Sequence, residues 1–289
     1  MLARVLPPAL ALSLVAGCAP QTQYLNTGLI PAAHALPWDG RTATPGSLRV
    51  EGTAVFADVN ENLAPQIHDT ALYVPNLSVE GAATIAVLRG IEVGARVALS
   101  RYSWSTPTAV GTAPLVGNPT VSGVGPEMRM MIPLDAAERW TLGIGGNIMN
   151  YQIPYAEWQM DGSCQGGPTC FGGYSLVEQK TSGHVTMNLA IYPSFAFGPE
   201  LGHVFTGFSV HSGFKNDGFT NTPSSDQVED AGLIFVWALG YGLDYRGLLL
   251  SMMVELPVTP GGAPISYTPG GSFSLGFKLD LAGTPTPAR

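Results

Sequence analysis

Alternation of apolar and polar residues is the feature that most constrains how this chain folds. From Phe273 to Leu281 every second residue is apolar, and the residues between them are polar or glycine. Side chains on a β-strand point alternately to opposite faces, so this stretch predicts a strand with one apolar and one polar face. Similar alternation recurs in nine earlier stretches, which predicts ten strands in all, with a range of 8–12.

The composition indicates what the apolar faces contact. Charged residues make up 12% of the chain, about half the share of ordinary soluble domains, whereas hydrophobic residues make up 45%. No apolar run reaches the roughly 18 to 20 residues that a membrane-spanning helix needs. Low charge, 36 glycines and repeated amphipathic strands therefore predict an all-β fold, an antiparallel up-and-down transmembrane β-barrel. The formal net charge of −8 argues against nucleic acid as a partner.

The predicted connections between strands alternate in length. Short links follow every even-numbered strand and long links follow every odd-numbered strand, which is the arrangement of barrels with short periplasmic turns and long outer loops. An even number of strands returns the C-terminus to the periplasmic side. The sequence therefore predicts that the chain before the barrel lies on the periplasmic side too.

The last predicted strand carries a resemblance to a known class. Ser274, Gly276, Leu279 and Leu281 occupy the polar, glycine and hydrophobic positions of the closing strand of bacterial outer-membrane β-barrels, which they resemble. Leucine stands at the final positions where aromatic residues are commoner, and a tail at 283–289 follows the barrel. The resemblance implies a small barrel of the bacterial outer membrane and leaves its cargo open.

The N-terminus resembles a bacterial lipoprotein signal. Arg4 precedes an apolar stretch that ends in Val15-Ala16-Gly17-Cys18, the small-residue pattern before a lipidated cysteine. The resemblance implies a signal peptide at 1–17 and acyl chains on Cys18, with an ordinary secretory signal as the alternative. Palmitate and other outer-membrane lipid, the lipoprotein sorting machinery and the barrel assembly machinery are the implied partners. Residues 18–46 are predicted to be an extended, poorly ordered linker before a barrel at 47–282.

Two further cysteines lie in the longest predicted loop. Cys164 and Cys170 are six residues apart in a glycine-rich stretch, and export to an oxidising compartment favours a disulfide between them. Two cysteines without a nearby histidine make a poor zinc signal. No metal and no cofactor are predicted.

The polar faces of the predicted strands carry charges of both signs. In a narrow lumen such charges are expected to pair, because an unpaired buried charge costs several kcal/mol. A polar plug that holds the barrel shut is the first interpretation, and a narrow conduit or ligand cavity is the second. The predicted lumen network comprises Arg49, Glu51, Glu92, Arg96, Glu127, Arg129, Glu255, Lys278 and Asp280.

Candidate catalytic groups are few, and each has a simpler explanation. His211-Ser212, with His203 and Asp217 nearby, is the most enzyme-like cluster, but its spacing does not reproduce a hydrolase motif. Solvated loop charges explain the remaining candidates, so no catalytic residue is assigned. These candidates are His68, Asp69, Asp226, Glu229 and Asp230.

The sequence thus predicts an outer-membrane β-barrel lipoprotein with a structural or surface-interaction role, and leaves a narrow channel open. One alternative is an outer-membrane hydrolase that acts on lipid or peptide. The other is a soluble periplasmic lipoprotein with a β-sandwich or a lipocalin-like ligand cavity. The ligand is unknown in every case.

Overall fold

The computed structural model describes residues 24–37, 43–57, 70–101, 115–160, 170–171, 173–198, 201–212, 233–258 and 269–281. These residues form strands β1 to β13 in chain order. The strands are β1 (Tyr24–Leu29), β2 (Ser47–Phe56), β3 (Thr70–Tyr73), β4 (Leu77–Leu88), β5 (Ile91–Arg101), β6 (Thr120–Pro133), β7 (Trp140–Met160), β8 (Cys170–Phe171), β9 (Tyr174–Gly198), β10 (Gly202–Ser212), β11 (Leu233–Tyr245), β12 (Leu248–Val258) and β13 (Gly270–Asp280).

Ten of the strands close into a barrel. The order around the wall is β7-β6-β5-β4-β2-β13-β12-β11-β10-β9, and β9 pairs back onto β7 to complete the ring. Every neighbouring pair in the ring is antiparallel. The prediction of an all-β, antiparallel ten-stranded barrel is confirmed. Closure removes the exposed edge strands that an open sheet would present.

The links between barrel strands define two different ends. The links after β4, β6, β9 and β11 have two to six residues, and the other links have 11 to 20. We call the two ends the short-turn end and the long-loop end. Two of the short links have only two residues, and one of them joins β11 to β12 through Arg246 and Gly247, which have φ angles of 52° and 84°. Positive φ at both central residues is what a two-residue hairpin with a type I′ turn requires.

The two faces of the wall differ as the alternation predicts. In β13 the side chains of Phe273 and Leu275 are exposed on the outside, whereas Ser272 and Ser274 are buried on the inside. The same pattern leaves large apolar side chains exposed on the outer faces of the other barrel strands; Val185, for example, is 68% exposed. Such a continuous apolar surface is far larger than soluble monomers present to water.

Aromatic side chains collect on the outside at the short-turn end. The ring of Phe195 lies 4.8 Å from that of Trp140 and 5.6 Å from that of Phe197, measured between ring centroids. Trp140 begins β7 and the two phenylalanines lie near the end of β9, so the group sits where an interfacial belt is expected. Among the described residues, no helix is long and apolar enough to span a membrane.

The sequence predicts aromatic side chains on the outer faces toward the strand ends, with Tyr151 among them, and for Tyr151 this prediction is wrong. It is buried on the inner face, because β7 turns its odd-numbered side chains inward at this point. Its ring packs against Gly123 of β6, where an added Cβ would lie 2.4 Å from the ring. Glycine on the inner face therefore makes room for a large aromatic ring.

Two barrel strands are longer than the sequence predicts. β7 has 21 residues and β9 has 25, and they stay paired from Trp140 and Phe195 up to Met160 and Tyr174. Most of the stretch 154–182, predicted to be a loop, is therefore strand. This paired extension stands beyond the rest of the wall at the long-loop end, because β6 pairs with β7 no further than Gln152.

Within residues 18–46, predicted to be a linker, the described residues include strand β1 and a buried stretch. β1 pairs antiparallel with residues 155–159 of β7 and parallel with β3, so it lies at the long-loop end. Residues 29–36 are then almost entirely buried. The sequence predicts that this part of the chain lies on the side of the short turns. That prediction rests on strand parity, which gives the side of the C-terminus but does not determine the path of the chain before β2.

Candidate functional site

The inner wall formed by β2, β4, β5 and β6 carries a cluster of buried charges. Arg96 of β5 is at its centre, and its guanidinium contacts three carboxylates from three other strands. Its nitrogens lie 2.6 Å from Glu80, 2.5 Å from Glu127 and 3.1 Å from Glu51. Inward alternation on four adjacent strands places these side chains at one height in the lumen.

Two more arginines extend the cluster. Arg129 contacts Glu51, and its Nε lies 2.5 Å from Glu127. Arg49 Nη2 donates a hydrogen bond to Glu92 Oε1 at 3.2 Å, and Glu92 Oε2 accepts one from the Thr84 hydroxyl at 3.0 Å. All these charged side chains are buried, so each charge is compensated by a neighbour and not by water. We refer to Arg49, Glu51, Glu80, Glu92, Arg96, Glu127 and Arg129 as the charge cluster.

The chain before the first barrel strand runs through the lumen beside this cluster. β1 lies at the long-loop end, whereas Ala43 lies at the short-turn end, where its carbonyl accepts a hydrogen bond from Gly90 N–H at 3.0 Å. Gly90 belongs to the tight turn between β4 and β5. The described chain on both sides of residues 38–42 therefore reaches from one end of the barrel to the other. We call residues 29–36, which are buried between these ends, the threaded segment.

Polar groups of the wall hold the threaded segment from several sides. The Nε2 atom of His34 lies 2.7 Å from a carboxylate oxygen of Glu80, a member of the charge cluster. The Ala35 N–H donates to the Glu255 carboxylate at 3.0 Å, and the Asn188 amide donates to the His34 carbonyl at 3.3 Å. These partners lie on β4, β12 and β9, which are spread around the ring. The wall thus satisfies backbone groups that a segment outside a sheet would otherwise leave unpaired.

A serine–histidine contact lies inside the lumen, but it is not the predicted pair. His211 Nε2 is 3.1 Å from the hydroxyl of Ser209, two residues earlier on the same face of β10. Ser212 points the other way, and its hydroxyl accepts a hydrogen bond from Met187 N–H at 2.8 Å. Ser209 is completely buried, and the His211 ring centroid is 6.3 Å from that of His34 in the threaded segment. Asp217 lies outside the described residues.

The structure brings together six of the nine predicted lumen charges. Glu255 is buried on another part of the wall and contacts the threaded segment instead. Lys278 is half-buried and Asp280 is exposed, because both lie at the short-turn end of β13, where inward-pointing side chains reach the mouth of the barrel. The six are Arg49, Glu51, Glu92, Arg96, Glu127 and Arg129.

The predicted lumen network does not include two residues that the structure places in the site. Glu80 is on the inner face of β4, opposite the apolar residues that predicted that strand, so alternation alone could have identified it. No local signal identifies His34, because its partners are 46 and 154 residues away in the sequence. Cys164 and Cys18 lie outside the described residues, and Cys170 begins β8, so the disulfide and the lipidation remain predictions. The loop candidates His68, Asp69, Asp226, Glu229 and Asp230 also lie outside the described residues.

No protein-family model and no curated protein matches this chain. Among solved structures, LpxR from Salmonella typhimurium is similar with a TM-score of 0.41 and 10% identity, over 80% of this chain and 99% of that chain. The translocator domain of autotransporter NalP from Neisseria meningitidis has a TM-score of 0.40 and 9% identity, over 82% and 90%. The CymD monoaromatic hydrocarbon channel has a TM-score of 0.35 and 9% identity, over 83% and 89%. At these identities none of the likenesses assigns a function to this chain.

Proposed function

We propose that this chain is a β-barrel lipoprotein of the bacterial outer membrane with a sealed lumen. Its role is structural or lies in surface interactions at the long-loop end. The observation that carries this proposal is the burial of the threaded segment inside a closed ring of strands, with β1 before it at the long-loop end and Ala43 after it at the short-turn end. A barrel filled by its own chain serves as a scaffold for what it presents at its surface.

The outer surface supports the membrane location. Its exposed residues are apolar along the strands, and aromatic rings gather near one end, as lipid and its interfaces require. Barrel strands of 10 residues or more are long enough to cross at the usual tilt. A soluble β-sandwich or lipocalin-like protein would instead expose its polar face to water and bury its apolar face.

The interior favours a sealed scaffold over the channel and hydrolase alternatives. The charge cluster and the threaded segment contact each other through Glu80 and His34, which leaves this level of the lumen occupied by protein. The Ser209 hydroxyl beside His211 is enclosed by the same packing, whereas a nucleophile must meet its substrate.

Migration of the detergent-extracted protein on electrophoresis, with and without boiling, tests the proposed barrel. We expect the unboiled protein to migrate faster, because a closed barrel stays compact in detergent. The control is the Cys18→Ala variant, which should lose its acyl chains but still remain in the membrane and show the same shift. Identical migration before and after boiling, together with release of Cys18→Ala into buffer, would contradict the proposal and favour a soluble lipoprotein.

A further inference from the structure

The path of the N-terminal chain has a consequence for the side of the membrane on which it emerges. β1 is hydrogen-bonded to residues 155–159 of β7, beyond the last contact of β6 with β7 at Gln152. β7 begins at Trp140, directly after a short turn. About 14 residues of strand separate Thr141 from Tyr155, which at ~3.4 Å per residue and a tilt near 40° span roughly 35 Å. That length exceeds the hydrocarbon core of about 30 Å, so β1 and the short turns lie on opposite sides of a membrane.

The threaded segment and the charge cluster lie at the same level of the lumen. The threaded segment already lies between β4, β9 and β12, where Glu80, Asn188 and Glu255 contact it. Arg96 and its carboxylates occupy the adjacent wall. The chain crosses the barrel once, from Leu29 at the long-loop end toward Ala43 at the short-turn end. The residues of β1 that precede Leu29 therefore lie at the long-loop end.

The distance to the predicted lipidation site completes the argument. Cys18 precedes Tyr24 by six residues. A fully extended chain covers about 3.3–3.6 Å per residue, so these residues reach roughly 20 Å at most. Cys18 therefore cannot return through a hydrocarbon core of about 30 Å to the side of the short turns.

We infer that the chain enters the barrel from the long-loop side of the membrane, where β1 lies, and that acyl chains on Cys18 insert into the leaflet of that side. With the short turns facing the periplasm, this is the outer leaflet. The inference rests on the proposed function, which supplies the membrane and its orientation, and it names the lipid surface that the N-terminus binds. It places the anchor opposite to the periplasmic side that strand parity predicts.

The sidedness can be measured with single cysteines on the full-length chain. Gln23→Cys probes the residue before β1, and Thr44→Cys is the matched control, because Thr44 is exposed at the short-turn end. Both variants carry Cys164→Ser and Cys170→Ser, and are treated in intact cells and in permeabilised cells with a maleimide that does not cross membranes. We expect Gln23→Cys to be labelled in intact cells and Thr44→Cys to be labelled only after permeabilisation.

Protection of Gln23→Cys in intact cells, or labelling of Thr44→Cys there, would overturn the inference. An epitope inserted between Gln23 and Tyr24 gives a second readout, since an antibody should bind it on intact cells. A fatty-acid label that is present on the full chain and absent from Cys18→Ala supports the anchor, and no label on the full chain overturns that part. The heat-dependent shift in migration is scored on every sample, so failure of the barrel itself is recognised separately.

Discussion

Arg96 is the residue on which the interior depends most. It contacts Glu51, Glu80 and Glu127, and it is almost completely buried. Glu80 also holds His34, so Arg96 supports the contact between the wall and the threaded segment. Removing one partner of a buried ionic group leaves the others uncompensated, which costs much more than the intact group contributes.

Replacement of Arg96 by methionine tests this dependence. We expect Arg96→Met to lower the free energy of unfolding by about 3–5 kcal/mol, because three buried carboxylates lose their shared guanidinium. Denaturant unfolding in detergent micelles, followed by the heat-dependent gel shift, measures the change. Arg89→Met is the matched control, since Arg89 is 70% exposed in its pair with Glu138 and exposed pairs contribute about 0–1 kcal/mol. Equal losses in the two variants would contradict this account of the cluster.

Gly123 tests the packing of aromatic rings inside the wall. A Cβ at Gly123 would lie 2.4 Å from the Tyr151 ring, so Gly123→Ala should destabilise the barrel by about 1–3 kcal/mol through overpacking. Gly52→Ala is the control, because a Cβ at this outward position meets nothing closer than 3.9 Å. Its expected change is within about 0.5 kcal/mol. The same unfolding assay compares the two, and a neutral Gly123→Ala would show that the ring moves aside freely.

The sequence predicts which face a residue is on better than how deep it lies. Alternation correctly turns Arg96 and Glu127 inward, and the structure buries both. The same alternation applies to Lys278 and Asp280, yet they lie toward the mouth of the barrel and are not enclosed. A period of two gives the face, whereas burial also depends on the height along the barrel axis and on what fills the lumen.

At the scale of elements, the strands were predictable and the threaded segment was not. Each barrel strand carries its own alternation, so its existence follows from local sequence. Residues 29–36 have no period, and their structure comes from contacts with β4, β9 and β12, far away in the chain. The extensions of β7 and β9 were missed for a related reason, since both faces of β7 at 153–158 are buried and alternation disappears there.

The outward face of β9 gives a test of the lipid contact. Leu189 is exposed near the middle of β9, so Leu189→Arg should lower the free energy of unfolding in bilayers by roughly 2–4 kcal/mol. Leu281→Arg is the matched control, because Leu281 is exposed just after β13 at the short-turn end, where arginine costs about 0–1 kcal/mol. Unfolding from vesicles measures both. A Leu189→Arg protein as stable as the parent would contradict lipid contact at this strand.

At the scale of the whole molecule, closure and filling are separate properties. The ring is closed by the β7–β9 pairing, which involves no residue of the threaded segment. What would then line the lumen is acidic: among the described residues of the barrel wall, without the extension of β7 and β9, the buried charged side chains comprise six carboxylates and three guanidinium groups. A lumen with this balance attracts cations and repels anions.

The most direct test of the central claim, that the chain seals its own barrel, is ionic conductance across a planar bilayer. Three proteins are compared: the full-length chain, a variant lacking residues 24–37, and a variant with residues 29–36 replaced by glycine and serine. The heat-dependent gel shift shows that each has folded. We expect the full-length chain to be silent and a folded variant to conduct with a preference for cations in a KCl gradient. Steady conductance through the full-length chain, equal to that of the variants, would contradict the claim.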